Sequence, residues 1–296
     1  MMCCSHLAAL GLLAQHEPLA PHTTLGIGGC ATWWFRPEHE HALLQAMPMI
    51  TKDMYIFPIG RGSNVLIADS GIDGLVLDLS DLNTLEVSGN TLFAGAGVRM
   101  GKIAQLAANS GLSGLEFMAT VPGDLGGGVA MNAGAFGQQV SDVLQSVTVL
   151  YRDGQVQNLS RRDLDMRYRY TALPQGALIL SATFELSHAD AASVKQTMRS
   201  MRLKRSETQP LSLPNCGSVF KNPEGDFAAR LIESVGLKGK QIGNASISDK
   251  HANFIVNQGG ASCEDVLRLI RLATSEVKKA TGIALELEVK LVGCSL

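Results

Sequence analysis

Residues 121–137, VPGDLGGGVAMNAGAFG, contain six glycines, one proline and a single charged side chain. Glycine tolerates positive φ and lets backbone N–H groups converge with no Cβ in the way, so such a segment can form an anion-binding concavity for phosphates without any lysine. It can equally be a set of turns in a glycine-rich β domain, because the 31 glycines of the chain, about 10% against ~7% in average proteins, exceed expectation only mildly.

Two further stretches are also rich in glycine, GRGSNVLIADSGIDG at 60–74 and AGAG at 94–97. The known nucleotide fingerprints fail in both. GRGSNV and GAGVRM lack the third glycine of GxGxxG, and the chain contains no GxxxxGK[ST]. Neither a Rossmann dinucleotide fold nor a P-loop is indicated.

The chain has 296 residues, more than a single hydrophobic core usually supports, so two or three domains are expected. With 46% hydrophobic and 18% charged residues, the balance is that of a globular protein. A formal charge of -2 argues against a nucleic-acid binder, which normally carries a basic excess.

LAALGLLA at 7–14 has no preceding Lys or Arg and is too short to span a bilayer, so we expect an amphipathic helix and no membrane partner. The cysteines show no CxxC pair, which argues against a zinc site or a disulfide framework and favours the cytoplasm. The histidines have no HxxxH or HExxH spacing, so no metal is expected. The cysteines are Cys3, Cys4, Cys30, Cys216, Cys263 and Cys294.

Hydrophobic periodicity and turn residues predict an α+β chain. Hairpins are expected around Gly89 and around Asp153-Gly154, and a domain junction near 203–212. Ser262 with Asp265 three residues later is typical of a helix start. Helices are predicted over 40–46, over 99–111 with closure at Gly111, and over 189–205, 226–235 and 262–281; ALELEVKLV at 284–292 is predicted as a strand.

Several long motifs occur in one order, and through them the chain resembles the UDP-N-acetylenolpyruvoylglucosamine reductase family from about Thr23 to Gly293. The short gap between YRYT and SETQP is similar to the shorter, type II form. The motifs are TTLGIGG at 23–29, GRGSNVLIADSGIDG, GLSGLEFMATVPGDLGGGVAMNAGAFG, YRYT at 168–171, CGSVFKNP at 216–223, LIESVGLKGKQIGNAS, HANFIVN at 251–257 and LELEVKLVG.

The resemblance implies an FAD-binding region of the vanillyl-alcohol-oxidase/PCMH type at about 23–187, made of two α+β subdomains, followed by an α+β substrate-binding domain. The implied boundaries are 1–73, 74–205 and 206–296. FAD is the implied cofactor and NADPH the hydride-donating cosubstrate. The implied reaction reduces UDP-N-acetyl-3-O-(1-carboxyvinyl)-glucosamine to UDP-N-acetylmuramate in peptidoglycan precursor synthesis, by a ping-pong cycle, in a cytoplasmic and preferably monomeric protein.

The resemblance also answers what lies against the bare backbone. Residues 119–134 would line the FAD pyrophosphate and flavin, while Ser63 and Asn64 would add side-chain hydrogen bonds. Asp124, a carboxylate beside a pyrophosphate, is electrostatically unfavourable unless it points to solvent. The implied cofactor-binding residues are Gly60, Arg61, Gly62, Ser63, Asn64, Ala119, Val121, Pro122, Gly123, Gly126, Gly127, Asn132 and Gly134.

Reduction of an enol ether that bears a carboxylate needs a hydride at one vinyl carbon, a proton at the other, and stabilisation of the charge on the carboxylate. Arg169 suits the stabilising role, since a guanidinium stays charged and pairs with carboxylates. The residues alone favour an ordinary exposed strand arginine, and the match of YRYT to the family reverses this. If the segment is extended, Arg167 shares its face. By resemblance Ser218 donates the proton; by itself it is a turn serine.

Leu285, Leu287, Val289 and Leu291 alternate with charged residues, which by itself indicates a half-buried strand with a solvated face. The resemblance makes Glu288 a catalytic acid that assists Arg169, and Glu286 is then its natural control. The implied substrate-binding residues are Tyr168, Arg205, Lys221, Asn222, His251 and Asn253, although His251 could equally be a core histidine.

Two rival functions stay open. One is another PCMH-type flavoenzyme, such as an alcohol oxidase, which would need no UDP site. The other is a flavin- or nucleotide-binding module without catalysis. Both are disfavoured because Arg169, Ser218 and Glu288 occur together in family order.

Overall fold

A computed structural model describes residues 4–296; Cys3 lies outside the described residues. The chain folds as two compact units. The first unit comprises residues up to Ala14 with Trp33–Gly60 and Gly74–Arg205, and the second comprises Gln15–Thr32, Arg61–Asp73 and Ser206–Leu296. The predicted boundary at 205/206 is also a unit boundary, whereas residues 15–32 and 61–73, which we had assigned to the first domain, belong to the second unit.

The helices are α1 Cys4–Ala8, α2 Glu40–Ala46, α3 Met100–Asn109, α4 Leu125–Ala130, α5 Ala191–Thr208, α6 Ala228–Ser234 and α7 Cys263–Thr281. The strands are β1 Gly11–Pro18, β2 Cys30–Pro37, β3 Ile56–Ile59, β4 Val65–Ile67, β5 Ile72–Asp78, β6 Leu85–Ser88, β7 Thr91–Gly95, β8 Leu112–Ser113, β9 Gly134–Ala135, β10 Gln138–Gln139, β11 Leu144–Leu150, β12 Val156–Ser160, β13 Met166–Arg167, β14 Tyr170–Thr171, β15 Leu178–Glu185, β16 Ser187–His188, β17 Asn215–Ser218, β18 Gln241–Ile242, β19 Ala245–Ile247, β20 Phe254–Asn257 and β21 Lys290–Val292.

The first unit is built on an antiparallel sheet in the order β12-β11-β15-β7-β6. Its central strand β15 is buried along most of its length because α4 packs against it. The apolar core includes Phe117 and Phe184 and the inner face of α3. Helix α3 ends as predicted, with Gly111 at φ 68°, the left-handed conformation that glycine adopts at little cost.

The second unit contains an antiparallel sheet in the order β17-β20-β19-β18. A separate parallel pair joins β21 to β4, with Leu291 opposite Leu66. Helices α6 and α7 contribute Leu231 and Ile270 to the core of this unit, where Phe220 is also buried. The second unit therefore has a hydrophobic core of its own.

Helix α7 begins and ends where the sequence predicts. The Ser262 side chain accepts a hydrogen bond from Asp265 N–H, and the Asp265 carboxylate accepts one from Ser262 N–H, which forms a capping box. Gly282 follows in the left-handed conformation at φ 76°. Helix α2 also confirms its predicted bounds.

The predicted helix over 7–14 is wrong. Helix α1 ends at Ala8, and β1 begins at Gly11. Strand β1 lies beside β2 in a sheet, and a Cβ at Gly11 would lie only 2.2 Å from the backbone oxygen of Arg36. Pairing with a distant strand, made possible by the missing side chain, has overridden the local helical pattern.

Two further boundaries differ from the prediction. Helix α5 continues to Thr208, past the predicted end at Arg205, so the first part of the expected junction at 203–212 is helical. The final segment is regular strand only at Lys290–Val292, with an isolated bridge between Leu287 and Phe220. Within residues 4–296 the helices lack the combination of length and apolar character that a bilayer span requires.

Candidate active site

The glycine-rich segment at 123–134 forms helix α4 and the turns around it. A Cβ at Gly126 would touch the Ala96 side chain at 3.2 Å, and one at Gly128 would lie 2.7 Å from Met100 Sδ. Gly127 is different, since it is exposed and a Cβ there would meet nothing within 4 Å. The backbone at Gly127 can therefore be approached closely by a ligand, as a bound pyrophosphate requires.

Asp124 does not point to solvent. Asp124 is only 6% exposed, and its carboxylate lies against Gly60, where a Cβ would come within 2.7 Å of Asp124 Oδ2. Gly60 thus has a packing reason to lack a side chain. Of the other residues predicted at the cofactor in this unit, Val121 and Gly123 are half-buried and Pro122 is exposed, while the Ala119 carbonyl accepts a hydrogen bond from Arg202 Nε at 3.3 Å.

Arg169 lies in the two-residue turn between β13 and β14, which pair Arg167 with Tyr170. Its φ is 56°, in the left-handed region that side chains other than Gly, Asn and Asp rarely adopt. The segment is therefore not extended at Arg169, and Arg167 instead pairs with Asp165. The Arg169 guanidinium donates to Gly134 O at 2.9 Å and lies over the Tyr168 ring, 4.9 Å from its centroid.

Asn132, also predicted at the cofactor, is 0% exposed. Its side chain is engaged on three sides: Nδ2 donates to Arg167 O and to Gln139 Oε1, and Oδ1 accepts from Ser141 N–H. Nothing in the sequence spacing links these residues. This set of contacts was missed from the sequence.

In the second unit, the loop 61–64 lies against both predicted catalytic segments. Asn64 Nδ2 donates to Glu288 O at 3.1 Å, and Lys290 N–H donates to Asn64 O at 3.0 Å. A Cβ at Gly217 would lie 3.9 Å from Ser63 O. Gly62 has a φ of 56°, with His22 O only 2.5 Å from where a Cβ would be. The loop thus needs glycine at position 62 to reach this place.

Ser218 and Glu288 are carried by two backbone segments that are hydrogen-bonded to each other. The Val219 carbonyl accepts from Glu288 N–H at 2.9 Å and from Val289 N–H at 3.2 Å. Ser218 ends β17, opposite Phe254 of β20. Ser218 and Glu288 are both half-buried, accessible in part to solvent. The structure therefore brings these two predicted catalytic residues into one region of the second unit.

Glu286 and Glu288 differ in environment although they alternate with apolar neighbours in the same way. Glu286 is exposed, and its carboxylate pairs with Lys221 Nζ at 2.5 Å. Lys221 N–H also donates to Glu286 O. Glu288 is half-buried and is braced through its backbone by Asn64. The two glutamates are thus suited to serve as a test and control pair.

Asn253 and His251 lie close to Phe254, the strand partner of Ser218. The Asn253 amide is 3% exposed; its Oδ1 accepts from Phe220 N–H at 2.9 Å and its Nδ2 donates to Phe220 O at 2.8 Å. Asn253 N–H donates to His251 Nδ1 at 3.3 Å. Burial, with a smaller contribution from Lys238, lowers the pKa of His251 below its ordinary value. His251 is therefore a neutral histidine that receives a hydrogen bond.

The remaining predicted residues have partners or environments of their own. Asn222 Oδ1 accepts from Ala228 N–H at 3.1 Å, where α6 begins. Arg205 lies in α5, and burial lowers its guanidinium pKa, although an arginine remains a cation. Burial raises the pKa of Cys216, beside the serine motif, to about 12, so its thiolate is scarce at neutral pH.

Arg169 and the turns of 119–134 lie in the first unit, whereas Ser218, Glu288 and the loop 61–64 lie in the second. In the first unit Arg169 contacts Tyr168 and Gly134, and in the second unit Asn64 contacts the Glu288 backbone. That the two groups meet at one substrate stays a prediction. Among residues 4–296, the structure contains no cluster of three or more His, Cys, Asp or Glu side chains placed to bind a metal.

Comparison with protein-family profiles gives two matches. Residues 31–160 match an FAD binding domain, and residues 209–292 match the C-terminal domain of UDP-N-acetylenolpyruvoylglucosamine reductase. The two matched segments lie on either side of the predicted boundary at 205/206. Each one contains residues predicted to act at the site.

Individual proteins are similar over nearly the whole chain. The UDP-N-acetylenolpyruvoylglucosamine reductase of Agathobacter rectalis is 42% identical, covering 97% of this chain and 96% of its own length. The UDP-N-acetylenolpyruvoylglucosamine reductase 2 of Symbiobacterium thermophilum is 41% identical, covering 96% of this chain and 93% of its own length. The crystal structure of UDP-N-acetylenolpyruvylglucosamine reductase (MurB) from Thermus caldophilus superposes with a TM-score of 0.82 at 33% identity, covering 95% of this chain and 98% of that one.

Proposed function

Because the chain belongs to the UDP-N-acetylenolpyruvoylglucosamine reductase family, we propose that it uses FAD and NADPH to reduce UDP-N-acetyl-3-O-(1-carboxyvinyl)-glucosamine to UDP-N-acetylmuramate for peptidoglycan precursor synthesis. The match of the FAD-binding and reductase C-terminal profiles on one chain carries this proposal. The predicted family, α+β fold class with an FAD-binding region, and reductase function are confirmed.

The residues present fit an FAD. Gly127 offers bare backbone with open space around it, and Gly62 holds the loop 61–64 in a conformation that a side chain would prevent. When bound, FAD accepts a hydride from NADPH and delivers it to the vinyl group of the substrate. We assign FAD binding to twelve of the thirteen residues implied above, leaving out Asn132, whose buried side chain bonds protein groups. Gly127 and the loop 61–64 are the best supported.

We assign Arg169 to the carboxylate of the enolpyruvyl group. A guanidinium placed against the carboxylate stabilises the charge that accumulates there as the hydride arrives. The left-handed backbone of Arg169 supports this assignment, because strained positions persist where the surrounding structure over-determines them, and they concentrate at functional sites. The hydrogen bond to Gly134 O limits where the side chain can point.

We assign Ser218 to protonation of the second vinyl carbon and Glu288 to polarisation of the substrate carboxylate together with Arg169. A hydroxyl is a weak acid, so Ser218 acts only if it is held within hydrogen-bond reach of a strongly basic carbon. The double hydrogen bond from residues 288 and 289 to Val219 O supports a fixed spacing between Ser218 and Glu288. Asn64 adds a further tie to the Glu288 backbone.

For the UDP moiety we propose Lys221 and Arg205 as cations, with Tyr168, Asn222, His251 and Asn253 shaping the binding surface. Lys221 is the best supported cation, because it is three residues from Ser218 and its side chain is only 20% exposed. The division at 1–73, 74–205 and 206–296, the cytoplasmic location and the monomeric state stay predictions.

Ser218→Ala tests the assignment directly. The variant should bind FAD and be reduced by NADPH as the parent is, while turnover of the enolpyruvyl sugar falls by about 10²–10⁴-fold, the range for loss of a general acid. Anaerobic stopped-flow absorbance separates the two half-reactions. Ser212→Ala, at an exposed serine of the same segment, is the matched control and should behave as the parent.

Normal turnover in Ser218→Ala would remove Ser218 from the mechanism but leave the reductase assignment intact. Oxygen consumption without NADPH by the parent would point instead to an oxidase. A yellow protein that NADPH never bleaches would indicate a flavin-binding module, and the proposed function would be wrong.

A further inference from the structure

Asn132 lies where two hairpins of the first unit meet. Its Nδ2 donates to Arg167 O at 2.9 Å and to Gln139 Oε1 at 3.1 Å, and its Oδ1 accepts from Ser141 N–H at 2.9 Å. One amide thereby joins the β9–β10 hairpin to the β13–β14 hairpin. The partners also fix the amide orientation, because only Nδ2 can donate to two oxygens.

The hairpin that carries Arg169 is tied to segment 129–134 at three places. Besides the Asn132 bond to Arg167 O, Thr171 Oγ1 donates to Val129 O at 2.6 Å, and the Arg169 guanidinium donates to Gly134 O at 2.9 Å. Its own strands are two residues each, too short for a hairpin to be stable alone. The position of this hairpin therefore depends on segment 129–134.

Asparagine is the residue type that this position requires. Asn132 has a φ of 42°, and asparagine is enriched in the left-handed region. The side chain is completely buried and has to both donate and accept there. An aspartate could not donate to Arg167 O, and an alanine would leave buried polar groups without partners.

Resting on the proposed function of Arg169, we propose that Asn132 is a positioning residue for the reaction, which holds the Arg167 carbonyl so that the next turn presents the Arg169 guanidinium in one place. Arg167 and Arg169 are only two residues apart across the turn. A shift of the Arg167 carbonyl therefore moves the residue that we assign to the substrate carboxylate. The cofactor contact implied for Asn132 is replaced in this proposal by a contact to the protein itself.

The experiment compares Asn132→Asp with the parent and with Asn109→Asp, which places the same change at an exposed residue of α3. In Asn132→Asp we expect reduction of FAD by NADPH to be unchanged and reoxidation by the enolpyruvyl sugar to slow on the order of 10²-fold, as for a misplacement of about 1 Å. Trypsin should cleave after Arg167 and Arg169 faster than in the parent, located by mass spectrometry, with or without FAD.

The double variant with Arg169→Ala decides whether Asn132 acts through Arg169. If it does, adding Asn132→Asp to Arg169→Ala should slow reoxidation by less than about 3-fold further, because interacting residues are non-additive. If Asn132→Asp does not fold, the same comparison of single and double variants is made with Asn132→Ser, whose hydroxyl can both donate and accept a hydrogen bond.

If Asn132→Asp slows reoxidation by the same ~10²-fold in the parent and in Arg169→Ala, the proposal is overturned. So would a fall in FAD affinity with unchanged reoxidation, which would return Asn132 to the cofactor. A parent protein that never reduces the enolpyruvyl sugar would instead refute the proposed function, and trypsin cleavage at the hairpin would still report on the Asn132 contacts.

Discussion

The side chains that we assign to catalysis in the two units are held by different kinds of backbone. In the first unit Arg169 has a positive φ, as do Asn132 and Phe136, and these are three of the four non-glycine residues in this conformation among residues 4–296. In the second unit Ser218 and Glu288 lie on segments joined by main-chain hydrogen bonds, and the positive φ beside Ser218 falls on Gly217.

This difference separates two ways of fixing a functional group. A non-glycine residue in the left-handed region costs of order 1–3 kcal/mol and needs surrounding contacts to persist, which Asn132 and Gly134 O provide in the first unit. In the second unit, main-chain hydrogen bonds join the segments that carry Ser218 and Glu288, and a side-chain substitution leaves such bonds in place. We therefore expect the first unit to be more sensitive to changes outside the reacting groups.

The largest expected effect is in the second unit, at the pair of glutamates. Glu288→Gln should lower kcat/KM by about 10²–10⁴-fold if Glu288 acts as an acid at the substrate. Glu286→Gln should stay within about fivefold, because the Glu286 side chain is 72% exposed, an ion pair of this kind contributes roughly 0–1 kcal/mol, and Lys221 keeps its charge for the UDP moiety. Steady-state oxidation of NADPH that depends on the enolpyruvyl sugar measures both. Equal losses in the two variants would contradict the distinction between these glutamates.

The second unit contains two buried asparagine side chains, Asn253 and Asn257, that can be compared with each other. Asn253, just before β20, bonds the Phe220 backbone. Asn257, the last residue of β20, is buried and bonds Leu25 O and the N–H groups of residues 259 and 261. Either change to alanine should lower the free energy of unfolding by about 1–3 kcal/mol per unsatisfied group. Urea denaturation measures this loss.

Only Asn253→Ala should also lower kcat, because Phe220 is two residues from Ser218 whereas Asn257 bonds elsewhere. Loss of kcat in Asn257→Ala to the same degree would mean that general loosening of β20, rather than the local bond, determines activity. An unchanged kcat in Asn253→Ala would show that the register alone holds Ser218, which would sharpen the contrast with the first unit.

In the first unit, two helical glycines with open space around them provide a matched pair. A Cβ at Gly101 in α3 or at Gly127 in α4 would meet nothing within 4 Å. Gly→Ala in a helix stabilises by up to ~1 kcal/mol, so neither apoprotein should become less stable. Gly127→Ala should weaken FAD binding about tenfold, or ~1.4 kcal/mol, because the methyl group would fill the space that we assign to the cofactor.

Fluorescence titration of the apoproteins with FAD measures this affinity, and thermal unfolding without FAD provides the stability of each variant. Unaltered FAD affinity in Gly127→Ala would remove this glycine from the cofactor site. A loss of affinity in Gly101→Ala would show that the effect is not specific to the backbone of α4.

The same contrast explains what could be predicted from the sequence. The start of helix α7 was predicted because the signals of Ser262 and Asp265 are local. The loss of regular pairing at 284–289 was not predicted, because alternation of apolar residues does not say whether a partner strand is present. The helix predicted over 7–14 was wrong because strand β1 depends on a contact between Gly11 and a strand more than twenty residues away.

Within the candidate site, the order of the motifs predicted which residues take part, but it did not predict the burial and contacts of each one. The position of Asp124 was left open by the sequence, and its side chain is buried against Gly60. Arg169 was considered on an extended strand and lies in a turn. Both depend on residues distant in sequence, and no spacing rule connects Asn132 with Arg167. Long-range hydrogen bonds of buried polar groups are what a single sequence leaves undetermined.

The smallest expected effect concerns His251 and its hydrogen bond from Asn253 N–H. Because burial lowers the pKa of His251, the unfolded chain takes up a proton at higher pH than the folded chain does. The contribution of neutral His251 to stability is therefore fully present above the unfolded pKa of about 6.5, and it is lost as pH falls from there through the lower folded pKa. Protonation would also place a hydrogen on Nδ1, facing the donor.

His251→Gln should remove this dependence, so the difference in free energy of unfolding between the parent and the variant should shrink from pH 7.5 to pH 5, by less than the ~1.4 kcal/mol per pH unit of one whole proton. Urea denaturation across this range measures it, with His188→Gln, at an exposed histidine of the first unit, as control. A difference that grows on acidification would mean that His251 is stabilised in its charged form, and a neutral role beside Ser218 would then be excluded.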